Sequence, residues 1–271
     1  MVLIAVLWIV AALSIAVTGL TRSVRQEAAL LGVARSNLQA TALGEAAIAL
    51  ALQQMVAAGK PAGEWREAPV QFQGQTIGVS VAPLTGLIDI NTAPPALLAK
   101  LYMVAGGLPP AAAETLAQAT VAARERRDAR GVPARFEAPE DLLQVPGFGY
   151  DLYARLAGLI TADLRGSGRV NPLAAPPGVL AVLANGSQGV VDQIAGARRT
   201  GGEGIDMTAL DGNFVQQTAG RQLRMVARVP NADGSAVEVL RDVDLTPDRR
   251  SGAPWQIFHA SERAVPAPTN P

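Results

Sequence analysis

The apolar positions open without a break. From Val2 to Leu20 the chain reads VLIAVLWIVAALSIAVTGL, nineteen residues without a charge. At about 1.5 Å rise per residue this is roughly 28 Å of helix, enough to cross a bilayer core of about 30 Å. A secretory signal peptide would need a basic n-region and a small-residue cleavage site, and the basic n-region is missing. Nor does the helical pattern stop there. Thr21 to Ala58 continues in Ala, Leu, Gln and Glu without proline. The spacing therefore predicts one helix of about 57 residues, ended by Gly59, Pro61 and Gly63. Its second half carries a stripe at Leu31, Ala34, Leu38, Ala42, Ala49, Leu52 and Val56, with Glu45 where the stripe should continue. Small residues on that face let backbones approach closely. The upper part is expected to pack on the chain's own domain and the lower part on similar helices of partners.

Beyond the helix the period shortens to two. Residues 70–82, VQFQGQTIGVSVA, read as strands broken at a Gly-Gln turn. Arg221–Val229 and Ala236–Leu245 read as a second pair around Asn231-Ala-Asp-Gly. Between the pairs the pattern turns helical and repeats in three phrases: LIDINTAPPALLAKL, RFEAPEDLLQVPGFGYDLYARLAGLI and GRVNPLAAPPGVLAVLANGSQGVVDQIAGAR. Each has a polar candidate cap (Asn91-Thr92, Glu137, Asn171), prolines at a helix start, an apolar run, a Gly-rich turn and a second helix. That is helix-hairpin-helix logic. The clearest turn is Pro146, Gly147 and Gly149, where glycines allow a tight corner. The expected class is α+β: a long N-terminal transmembrane helix packed on a small antiparallel sheet, with a large inserted helical domain of hairpin, SAM-like repeats.

Charge and composition then remove function classes. Lys plus Arg and Asp plus Glu each number 23, so no global field attracts nucleic acid or cations. Within residues 87–210 there are 11 basic and 12 acidic side chains, which disfavours gripping DNA phosphates with the hairpin turns. Cysteine is absent, which removes disulfides and thiolate metal sites. The one histidine, His259, leaves a hydrolytic triad a single base in a tail-like setting. Asp89 reads as a turn residue before a helix. No enzyme is expected and no cofactor is certain. Calcium is the one candidate, through Glu203, Asp206 and Asp211 in a Gly-rich loop whose spacing does not match an EF-hand. Arg124–Arg130, RERRDAR, reads as a solvated helix end.

An all-apolar start that runs into an amphipathic helix resembles type IV pilin-like proteins after their leader has been removed. In that register Met1 takes the first position and Ala5 the fifth, where most such subunits carry a glutamate. A buried membrane carboxylate is costly unless paired, and the resemblance implies pairing with the subunit ahead; a subunit without it would stand first. Together with the INTAP phrase and GSGRVNPLAAPPGVLAVL, this resembles the K-type minor pseudopilin of the type II secretion system (the GspK family). The resemblance implies a filament tip that starts a periplasmic pseudopilus for export through the outer-membrane secretin. It implies I- and J-type minor pseudopilins, the major pseudopilin, the inner-membrane secretion platform and the prepilin peptidase as partners, with no nucleic acid. The location implied is the bacterial inner membrane, single-pass, with the soluble domain in the periplasm. Met1, Ala5, Leu31, Leu38 and Ala42 would serve assembly. The parts would be 1–21 in the membrane, 22–58 the periplasmic part of the same helix, 64–86 the first strands, 87–210 the helical insertion, 211–262 the closing strands and 263–271 a disordered tail. The alternative is a membrane-anchored helix-hairpin-helix DNA receptor of the competence type, similar to ComEA. A basic patch of Arg124, Arg126, Arg127 and Arg130 would favour it.

Overall fold

The computed structural model describes residues 2–59, 63–127, 131–164, 166–199, 205–218, 220–247 and 252–266, without the side chains of 2–26, 28–30 and 199. A single helix, α1 (Val2–Ala57), runs from the apolar start to Gly59, whose positive φ of 62° ends it. The side chains of the apolar run Val2–Leu20 lie outside the described residues, and so do Met1 and the side chain of Ala5. Among the described side chains, Leu31–Ala57 is also long and apolar enough to cross a membrane. That stretch instead lays one flank on the chain's own sheet.

The sheet has five antiparallel strands in the order β1 (Arg66–Phe72), β2 (Gln75–Pro83), β5 (Gln222–Pro230), β6 (Ala236–Asp244) and β7 (Gln256–Val265). The β1–β2 hairpin closes on Gln73 and Gly74, both at positive φ (48° and 77°), so the corner falls one residue before the expected Gly-Gln pair. Alternation sets the buried face. Ile77, Val79, Val81, Leu223, Met225, Ala227, Val229, Val237 and Val239 point at α1 and meet Ala40, Leu43, Ala47, Ile48, Leu52 and Met55. Gly44 is required where helix and strand touch, because a Cβ there would stand 2.6 Å from Val239 Cγ2.

This corrects the expected seam. Of the stripe Leu31, Ala34, Leu38, Ala42, Ala49, Leu52 and Val56, only Leu52 is buried; the others form the outward flank. The packed face lies beside it and is built around Ala40, Gly44, Ala47 and Ala51. A stripe of small residues is ambiguous by period alone when two adjacent faces both carry alanine.

Between β2 and β5 the chain leaves the sheet through a 3-10 turn, Leu84–Gly86, and builds a second apolar core. Here α2 (Pro95–Val104) packs on α3 (Pro110–Glu125), and the 3-10 helix Pro139–Gln144 precedes α4 (Tyr150–Leu156). α5 (Pro177–Leu183) and α6 (Gln188–Arg199) complete it. Two short strands, β3 (Ile88–Asp89) and β4 (Ile160–Thr161), pair in parallel inside it. Proline opens α2, α3, α5 and the 3-10 helix, and glycines at positive φ turn the corners at Gly107, Gly147 and Gly186. The expected polar caps do not cap: the starts of α2, α3, α5 and the 3-10 helix lack a side-chain cap bond, and proline supplies the preset φ instead.

The helical part is fastened to the sheet. Asn171 N donates to Thr85 O at 2.7 Å and Trp65 N to Leu173 O at 3.1 Å, while Gly86 backs directly on Ala174. The closing strand β7 runs to Val265, past the boundary at 262, so residues 263–265 belong to the sheet. The remainder of the expected disordered tail, from 267, lies outside the described residues.

Candidate assembly surfaces and hairpin turns

On the outward flank of α1, Leu31 is 66% and Leu38 72% exposed, and Ala42 is exposed as well. Glu45 shares that flank and reaches down its side to Arg241 of β6. Arg241 is buried, and its Nη2 donates to Glu45 Oε1 at 2.5 Å and to Glu262 Oε1 of β7 at 3.0 Å. Its Nη1 donates to the carbonyls of Leu240 and Ser261. The two carboxylates and two carbonyls satisfy a guanidinium that would otherwise be costly to bury. The β5–β6 turn holds the same helix a little lower: Ser36 Oγ donates to Asn231 Oδ1 at 3.0 Å, and Asn231 Nδ2 donates to Asn37 Oδ1 at 3.1 Å.

At the hairpin turn, Pro146, Gly147 (φ 87°) and Gly149 form the corner between the 3-10 helix and α4, and Phe148 turns inward edge-on to Tyr102 at 5.6 Å between centroids. The surroundings are acidic. Asp141 Oδ2 accepts from the backbone N–H of Glu137 and Ala138, Glu140 accepts from Tyr153 Oη at 2.6 Å, and Asp151 sits in the first turn of α4. Burial first, then the Glu140 carboxylate, raises the Tyr153 hydroxyl above its ordinary range. Tyr150, 72% exposed, stands next to the corner. A phosphate would meet carboxylates here.

Of the proposed basic patch, Arg126 and Arg127 are exposed and Arg124 turns inward. Arg124 folds back under α3, where Nη1 donates to the carbonyls of Ile90 and Ala93 at 2.8 Å each. Burial lowers its pKa from the ordinary arginine value. Arg127 Nη1 donates to Gly131 O at 2.6 Å; Arg130 lies outside the described residues. The expected solvated helix end is therefore partly a clamp on the INTA segment.

That segment is a polar knot. Asp89 Oδ1 accepts from Asn91 N at 2.9 Å and Oδ2 from Thr92 Oγ1 at 2.7 Å, which makes it a turn residue. Asn91 Nδ2 donates to Phe136 O and Ala162 O, and its Oδ1 accepts from Phe136 N, joining the first phrase to the second. Burial raises the Asp89 carboxyl, against the Thr92 and Asn91 hydrogen bonds and the Arg135 and Arg124 charges.

Of the calcium candidates, Glu203 lies outside the described residues. Asp206 Oδ1 accepts from Thr208 N and Oγ1, and Asp211 accepts from Asn213 N and from Lys100 Nζ at 3.2 Å. Asp206 is exposed and Asp211 half-buried, and both carboxyls are held below the usual range, Asp206 first by the Thr208 hydroxyl and Asp211 first by Asn213 N. Among the described residues no three His, Asp or Glu side chains converge on one point.

Sequence reasoning missed the buried pair Arg224–Asp242. Arg224 Nε and Nη2 meet Asp242 Oδ1 and Oδ2 at 2.8 and 2.7 Å across β5 and β6, and Nη1 reaches Ile160 O at 2.8 Å and Ala157 O at 3.2 Å. A bidentate pair at the back of the sheet thus ties it to β4 and the end of α4. The signal was present: charges inside the strands QLRMVARVP and AVEVLRDVD call for an opposite partner across the sheet. His259 lies opposite Asp242 on β7.

No family model and no curated protein matches the chain. Among solved structures it is similar to a chain of the GspK-GspI-GspJ complex from the enterotoxigenic Escherichia coli Type 2 Secretion System. The identity is 15%, the TM-score 0.43, and the alignment covers 91% of this chain and 99% of that chain. The likeness is remote, and the functional reading stands on the chain's own elements.

Proposed function

We propose that the protein is a membrane-anchored minor pseudopilin of the type II secretion system, acting in assembly and not in catalysis. Its apolar N-terminal run would anchor it in the inner membrane with the sheet and helical part in the periplasm. It would cap the tip of a short filament together with I- and J-type subunits. The observation that carries this reading is the order of elements. One unbroken helix passes from an apolar start onto an antiparallel sheet, and a separately cored helical segment is lodged between the second and third strands of that sheet. Such a layout leaves the lower helix free to pack on partner helices, and bulk above the sheet to block further addition.

The three helix–turn–helix units read as repeats of one hairpin module used for packing, since their apolar faces meet in one core and their polar knots join phrase to phrase. The acidic surroundings of the Pro146–Gly149 corner and the inward Arg124 support this use over a DNA-receptor role. Deleting the chain from its host tests the reading. Exported proteins are expected to accumulate in the periplasm while DNA uptake is unchanged; normal secretion with lost DNA uptake would overturn it.

A further inference from the structure

We propose that the outer edge of β7, with the flank of α1 beside it, docks a different subunit of the same helix-on-sheet build, whose own edge strand extends the sheet. This rests on the assembly reading above and names the surface and the kind of partner.

β7 pairs with β6 along its length and, among the described residues, has no neighbour on its other side. It is exposed on both faces although it belongs to the sheet: α1 lies over β1, β2, β5 and β6 and stops short of it. Such an edge offers a row of free N–H and C=O groups, and proteins normally blunt it with proline or charge. Gln256–Ser261 contains no proline, Lys, Arg, Asp or Glu. The two charges that follow are already spent, Glu262 on Arg241 and Arg263 on Glu238 at 2.5 Å. The β-bulge opposite Asp242 and Val243 leaves Phe258 unpaired and 40% exposed, beside Ile257 at 52%. What fits a row of unpaired backbone groups is another extended backbone.

The helix layer supplies the second half of the surface. Glu45 stands on the outward stripe with Leu38 and Ala42, and the cation it meets, Arg241, also holds Glu262 of β7. The stripe therefore looks toward the β7 side, and helix flank and bare strand make one step. A partner that is itself a helix on a sheet continues both layers.

Strand directions and the β1 edge argue against a second copy. Each neighbour in the sheet is antiparallel, so β7 runs the same way as β1. Head-to-tail addition would bring β7 against another copy's β1, where Pro69 at mid-strand removes an N–H from the edge. Pairing β7 with β7 antiparallel, helices on one face, would send the two apolar N-terminal runs to opposite ends, which one bilayer cannot accept. The occupant is thus a different chain with a proline-free edge.

The test is hydrogen exchange on the full chain in detergent micelles, alone and with I- and J-type subunits. In the complex, alternate amides of β7 are expected to slow by at least about tenfold while those of β1 do not change. Ala260→Pro and Ser261→Pro provide the second arm, since neighbouring N–H groups point to opposite edges. The outward one should weaken the complex about tenfold with an unchanged melt. A complex in which β7 exchanges as in the free chain overturns this proposal and leaves the functional reading standing. Absence of any complex overturns both, and protection of the outward-pointing β7 amides in the chain alone, beyond those bonded to β6, overturns the choice of partner.

Discussion

Arg224 and Asp242 show how much a single pair can hold. Both are almost wholly buried, and removing one leaves the other charge without a partner in a dry setting. Asp242→Ala is expected to lower stability by about 3 to 5 kcal/mol in denaturant unfolding, and the double replacement Arg224→Met with Asp242→Leu by clearly less. A single mutant within about 1 kcal/mol of the parent would contradict the assignment. Asp89 acts in the opposite sense. Its folded carboxyl is raised above 3.8, so between that value and the raised one the folded chain keeps a proton the unfolded chain has released. Stability therefore falls as pH rises through that window, and the deficit persists above it. Asp89→Asn keeps an acceptor for Asn91 N and removes the ionisation, so its melting temperature should vary less with pH across the acid range. An unchanged slope would place the titration elsewhere, Asp163 being the other carboxyl raised by burial.

For the elements, the close approach of α1 to β6 depends on Gly44. Gly44→Val would drive a branched side chain into Val239 and is expected to lower stability by about 1 to 3 kcal/mol, measured by thermal or denaturant unfolding. Ala42→Val, one turn face away on the exposed flank, should leave stability unchanged; equal losses would put the seam where the stripe alone suggested. That contrast also marks what the sequence makes legible. Helix length, the first two hairpins and the proline-led starts follow from local rules: period, turn chemistry and fixed φ. The packed face of α1 does not, because Ala34, Ala40, Ala42 and Ala47 carry no directional information until the sheet is placed. β7 escaped for a related reason. An edge strand exposed on both faces has no hydrophobic alternation to read, and its short apolar pair Ile257-Phe258 sits at a bulge. Of the candidate residues, Pro146, Gly147 and Gly149 fall in the corner their types require, Leu31, Leu38 and Ala42 lie on the open flank, and Met1, the Ala5 side chain and Glu203 stand outside the described residues. Arg241, invisible as a local motif, joins α1, β6 and β7 because tertiary pairing brings Glu45 and Glu262 to it.

For the whole molecule, two cores and the polar ties between them imply that helical part and sheet move as one body, held by Arg224 to β4 and by Asn171 to the turn before β3. A rigid head on a long helix would suit the terminal subunit proposed above, whose task would be to present fixed surfaces to neighbours. The central claim is assembly with like subunits, and the most direct measurement is the mass of the complex formed when the full chain is co-purified in detergent with I- and J-type minor pseudopilins, beside a low-salt DNA titration of the same sample. The account predicts a stable species with one copy of each of the three chains and no DNA retention; a chain that stays alone and binds DNA with affinity falling steeply in salt would contradict it.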